Sequence, residues 1–111
     1  MVDGIPCIRL YTGGDGLSHV ERTFIADGTL ATATSLRFAE SPPGSSLEWH
    51  DAPRRQYVLT ISGTLEFVTR DGETFVLSPQ IVLLAEDTSG TGHRWRLTDD
   101  QPWRRVYATI D

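Results

Sequence analysis

Three histidines are the side chains of this sequence best suited to move a proton near neutral pH: His19, His50 and His93. Each stands at the junction of a loop and a β-rich run, where antiparallel barrels place their mouths. His50 lies in the stretch EWHDAPRRQYVLTISG, residues 48–63, which adds a proline turn, the pair Arg54 and Arg55, and Gln56. Other routes to chemistry are closed. The ten basic residues are all arginine, so neither a Schiff base nor a lysine general base can form. No G-x-S-x-G, phosphate-binding glycine loop or Cys-His nucleophile pair occurs.

The elements that must position these side chains are strands. SHVERTFIA and ATATSLRFAE are rich in β-branched and aromatic residues and are separated by the turn signal ADG. Pro42-Pro43-Gly44 breaks the chain before SSLEWH. QYVLTI and TLEFVT flank Ser62-Gly63, and a second hairpin passes through Arg70-Asp71-Gly72-Glu73 into TFVLS. IVLLA is a continuous apolar run, as expected of a strand buried on both faces, and HRWRL and WRRVYATI follow. No window keeps a helical apolar period with caps. Nine or ten short strands predict an all-β sandwich or small barrel, the jelly roll before others, with little or no helix.

The spacing around His50 resembles the first motif of the cupin family: a glycine, five residues, His-x-His, three or four residues, glutamate, six residues, glycine. Here Gly44 is followed by SSLEW, His50, Asp51, Ala52, PRR, Gln56, YVLTIS and Gly63. Residues two apart on a strand share a face, so the family's His-x-His aims two imidazoles into one barrel. Ala52 takes the second histidine's place and Gln56 the glutamate's. The family's second motif resembles EDTSGTGHRW, with Gly90 three residues before His93, though Thr88 and Leu97 replace the usual proline and asparagine. The resemblance covers about residues 34–108. It implies one cupin domain over 1–111, a double-stranded β-helix, with motifs at about 44–63 and 79–97.

By that resemblance His50, Gln56 and His93 are the expected ligands of a divalent metal, Fe, Mn, Ni or Zn, held weakly because the set carries no charge. No organic cofactor is expected. His19, Arg54 and Glu86 are the candidate catalytic groups, and Trp49, Arg55, Tyr57 and Trp95 the candidate substrate contacts. These aromatics, with Trp103 and Tyr107, read as core or pocket lining rather than a cofactor box. Arg54 and Arg55 have two readings: a salt bridge to Glu86 or Asp87 across the mouth, or a clamp on a ligand carboxylate or enolate. The implied function is a small-molecule enzyme of the isomerase, cyclase, dehydratase or lyase type, not an oxygenase, which would need a carboxylate in its iron triad. The alternatives are metal-free acid-base catalysis by His50, His93 and the arginines, and a ligand-binding barrel without turnover.

Composition bounds the partners. A net charge of −5 argues against nucleic-acid and anionic-membrane surfaces. No apolar stretch is long enough to span a bilayer, the start MVDGIPCIRL lacks a secretory signal, and Cys7 stands alone, so a cytoplasmic protein is expected. A homodimer is expected, with IPCIRLYT as the strand that pairs with a second copy.

Overall fold

Alternation of apolar and polar residues dictates what the backbone does. In the computed structural model, which describes residues 3–110, ten strands form and no helix. They are β1 (Ile5–Thr12), β2 (Ser18–Ile25), β3 (Ser35–Ser41), β4 (Ser46–His50), β5 (Gln56–Ser62), β6 (Leu65–Thr69), β7 (Thr74–Leu77), β8 (Val82–Glu86), β9 (His93–Leu97) and β10 (Trp103–Thr109). They pair into a six-stranded sheet, β2-β1-β8-β5-β10-β3, and a four-stranded sheet, β4-β9-β6-β7. Only β1 and β8 run parallel. Two facing sheets with crossovers between them make the expected jelly roll.

The core lies between the sheets, because every second side chain of each strand points there. Leu10, Leu65, Phe67, Leu77 and Trp103 are among its most completely buried members. Each contributes about 1.5–3 kcal/mol by leaving water. Phe67 stacks on Phe75 at 4.7 Å, and Trp95 meets Trp103 edge-on at 4.7 Å. The buried indole of Trp103 donates to Thr60 Oγ1 at 3.2 Å, so its one polar atom is satisfied.

Two expectations change. The IVLLA run was expected to be buried on both faces, but β8 buries only Leu83 and Ala85. Its outward side chains are half-covered, because the second sheet packs on one face alone. IPCIRLYT, read as a strand free to pair with a second copy, is β1. It lies between β2 and β8, so both its hydrogen-bonding edges are taken. The edges of the six-stranded sheet are β2 and β3. Among the described residues no helix is long and apolar enough to cross a membrane.

Candidate functional site

At one end the two sheets part around a cavity of about 250 Å³, lined among others by His50, Ala52, Gln56, His93, Trp95 and Arg105. Three strands deliver the residues the spacing had marked. β5 opens on Gln56, whose inward face continues through Val58 and Thr60. β9 turns His93, Trp95 and Leu97 inward, all buried. β4 delivers His50 by a less regular route. Its register against β9 passes from Leu47↔Trp95 to His50↔His93, so Glu48 and Trp49 together oppose one residue of β9. That β-bulge brings Leu47 and His50 to the same face although three positions separate them.

The histidines are neighbours, with ring centroids 4.4 Å apart and planes at 60°. The tautomer of each is set by what holds Nδ1. His50 Nδ1 donates to the Glu48 carbonyl at 2.7 Å, leaving Nε2 as the nitrogen with a lone pair. Burial pushes the His50 imidazole below its usual range. The Glu48 bond opposes this and the nearby His93 ring adds to it, so the ring is neutral near pH 7.

His93 is anchored from behind. Its Nδ1 lies 2.7 Å from Asp87 Oδ2, and the Asp87 side chain is 0 % exposed. Ser18 Oγ donates to the same oxygen at 2.8 Å and accepts from the Gly92 amide at 3.0 Å. Ser18, Asp87 and His93 thus form a chain buried beneath the cavity. Two glycines make room for it. A Cβ on Gly90 would sit 2.3 Å from Ser18 Oγ, and Gly92, at φ +93°, packs against the His50 backbone where a Cβ would lie 2.8 Å from its carbonyl oxygen.

His19 and Glu86, read as proton carriers, are not brought to this cavity. His19 sits where the β1–β2 turn meets the β6–β7 turn. Nε2 is 2.8 Å from Asp15 Oδ2 and Nδ1 is 2.8 Å from Glu73 Oε2, with Asp71 Oδ2 at 3.9 Å. Asp15, then Glu73, hold this imidazole above its usual range by hydrogen bonding. His19, Asp71 and Glu73 also form the only group of three His, Cys, Asp or Glu side chains among the described residues close enough to share an ion. Both ring nitrogens are already engaged by carboxylates, which fits an ion-paired imidazolium. Glu86 points to the outer face because Ala85 and Asp87 on either side point in. It pairs with Arg9 at 2.7 Å and with Arg55. Burial would raise its carboxyl, but the two guanidinium hydrogen bonds outweigh that and hold it below the usual range.

The remaining candidates divide. Trp95 lines the cavity. Trp49, rotated outward by the bulge, lies under the guanidinium groups of Arg70 and Arg94 at 4.5 and 5.0 Å. Tyr57 alternates with Gln56 and Val58 and so faces outward. Arg54 lines a neighbouring recess of about 480 Å³ that shares Arg37, Pro53, Gln56 and Tyr107 with the cavity. A further depression of about 270 Å³ outside the four-stranded sheet is lined by Glu48, Glu66, Arg94 and Arg96. Its Arg96–Glu66 pair, at 3.0 Å, answers its own charge.

Sequence reading missed two residues. Asp87, read as a salt-bridge partner of Arg54 or Arg55 across the mouth, is the buried partner of His93. Arg105 passed unremarked within WRRVYATI, although counting by twos from Trp103 places it inward.

A divalent ion, the group this kind of barrel implies, can be tested against these donors. His50 and His93 each offer Nε2 because Nδ1 is engaged, the usual arrangement for a metal-bound histidine. Gln56 is buried on the same cavity wall and offers a carbonyl oxygen. Ala52, 4 % exposed, puts only a methyl where a further ligand would stand. The residues fit an ion held by three neutral donors.

No protein-family model matches the sequence, and no curated protein matches it. Among solved structures the chain is similar to the Schizosaccharomyces pombe Cnp3 cupin domain, at 16 % identity and a TM-score of 0.50. The match covers 98 % of this chain and 86 % of that one. A likeness of that degree carries the fold.

Proposed function

From a chain whose fold is the cupin jelly roll, we propose a small-molecule enzyme that transfers a proton at a carbon next to a carbonyl, as isomerases, cyclases, dehydratases and lyases do. The observation that carries this reading is the buried Ser18–Asp87–His93 chain, with His50 4.4 Å from His93. A carboxylate sealed from water behind one imidazole is costly unless the pair is used or strongly hydrogen-bonded. It fixes the ring and stabilises the positive charge that the ring acquires on taking a proton.

His93 Nε2 removes the α-proton, and the electron pair of the C–H bond moves to the carbonyl oxygen. The Gln56 carboxamide donates to that oxygen. His50, neutral, accepts a hydrogen bond from a ligand hydroxyl, and His93 returns the proton to carbon or to a leaving group. An Fe, Mn, Ni or Zn ion held by His50, Gln56 and His93 would take both Nε2 lone pairs and so stands as the alternative to acid-base work by the two rings, supplying Lewis-acid polarisation of the carbonyl oxygen. The apolar walls, Trp95 and Phe67 among them, exclude water. The volume suits a ligand smaller than a typical drug.

The test is solvent deuterium exchange in D₂O, followed by proton NMR at the benzylic positions of phenylpyruvate and of the neutral ketone phenylacetone. Exchange of either compound above the buffer rate is expected, and the His50→Ala/His93→Ala double variant should remove it. Buffer-rate exchange of both compounds would overturn the enzyme reading. A homodimer is part of the proposal, formed through an open edge of the six-stranded sheet, β2 or β3, and a monomer mass by light scattering counts against it.

A further inference from the structure

Arg105 is the buried cation of this protein, and nothing among the described residues neutralises it. Its residue exposure is 9 %, and it lines the cavity that holds His50 and His93. Nε donates to Tyr107 Oη at 3.0 Å, and Nη1 donates to Ser41 Oγ at 2.8 Å and to the Trp103 carbonyl at 2.9 Å. The guanidinium carbon lies 3.9 Å from the centre of the Trp103 ring. Every one of these partners is uncharged. By contrast Arg9, Arg55, Arg96 and Arg104, all more exposed, each meet a glutamate.

This distribution reverses what burial alone would select. A guanidinium taken from water needs a counter-charge or a complete set of acceptors, and a solvated one needs neither. Here, in a protein of net charge −5, the buried arginine meets no carboxylate among the described residues. Nη2, with two N–H donors, takes part in none of the bonds above. The group is nevertheless rigid, since three hydrogen bonds and the indole face fix its plane. A fixed, uncompensated guanidinium in a pocket wall, with its Nη2 donors unengaged, suits a charge-assisted hydrogen bond to an anion. Arg37, on the adjacent strand β3, lines the same cavity with its guanidinium 4.4 Å from the centre of the Tyr107 ring. It adds a second positive charge nearer the opening.

We infer that the cavity binds a small organic carboxylate, its charged end on Arg105 with Arg37 at the rim, and its apolar or aromatic body against Trp95 and Trp103. The ligand's charge supplies the counter-ion that no described residue provides. The inference rests on the catalytic reading only in placing the ligand beside His50 and His93, and it names the substrate class for that site.

The experiment compares trans-cinnamate with trans-cinnamamide, which share a shape and differ in charge, by calorimetric titration of the full chain with tryptophan fluorescence as a second readout. Cinnamate is expected to bind about tenfold or more tighter, as a charge-assisted hydrogen bond implies. In Arg105→Gln the two compounds should bind alike. Equal affinities in the wild-type protein, or no binding of either, would overturn the inference, and that comparison stands even if Arg105→Gln folds poorly. The two readings fail separately. Cinnamate binding without deuterium exchange ends the catalytic one and leaves the carboxylate site. Exchange of phenylacetone with no preference for carboxylates does the reverse.

Discussion

Replacing Asp87 with alanine would strand the Ser18 hydroxyl and His93 Nδ1–H, the two donors that meet on its Oδ2 at 2.8 and 2.7 Å. Both donors are in buried residues, so water cannot replace the lost acceptor. Leaving a buried donor without its acceptor costs about 1–3 kcal/mol, so the two together cost about 2–6 kcal/mol. At ~2.1 cal/mol/K of unfolding entropy per residue, a chain of this length loses about 4 °C of melting temperature per kcal/mol, so Tm should fall by roughly 8–24 °C. Asp87→Asn keeps an acceptor and sheds the cost of a buried charge, so its loss should be about 1–2 kcal/mol. Its effect on chemistry should be larger, with deuterium exchange falling about 10–100-fold through misorientation of His93. Scanning calorimetry gives the first quantity, and nitrogen-15 NMR of the imidazoles gives the tautomer. A loss below about 1 kcal/mol in Asp87→Ala, or a neutral His93 carrying its proton on Nε2 in the wild-type protein, would refute the reasoning.

Gly90→Ala should destabilise the protein by about 1–3 kcal/mol in urea unfolding, because a Cβ 2.3 Å from Ser18 Oγ displaces the group that holds Asp87. Ala52→His should raise Ni(II) or Zn(II) affinity by tenfold or more in calorimetric titration, since its side chain already faces the cavity beside His50. Protein purified without an affinity tag is expected to carry sub-stoichiometric Fe, Mn, Ni or Zn by ICP-MS, and loss of exchange on chelation would assign the ion a role. His19, whose folded pKa is raised first by Asp15 and then by Glu73, lends stability that is fully present below its unfolded value of about 6.5 and lost as pH rises through the folded value. His19→Gln should flatten that part of the pH–stability curve, and an unchanged curve would show the pairing to be idle.

The strands and the meeting of His50, Gln56 and His93 in one cavity were legible because side chains on a strand repeat every two residues and turns carry their own signals. What the sequence hid depends on breaks in that period or on depth. The extra residue in β4 cannot be seen in SSLEWH, so Trp49 looked like a pocket wall and is an outer platform for Arg70 and Arg94. Glu86 and Asp87 are adjacent acids with opposite fates. One faces outward between Arg9 and Arg55, the other is sealed behind His93, and only the direction of β8 separates them. Arg105 could have been found by carrying the inward count along β10. Its lack of a carboxylate partner could not, because that is a property of every neighbouring strand at once.

The bulge in β4 absorbs one surplus residue without turning His50 away from the cavity. Deleting a single residue between Leu47 and His50 would restore simple alternation and leave the two side chains two positions apart, still on one face and still opposite Trp95 and His93. A one-codon deletion there should therefore spare the pocket where a substitution at His50 would not, because it removes a surplus residue and leaves both histidines facing each other.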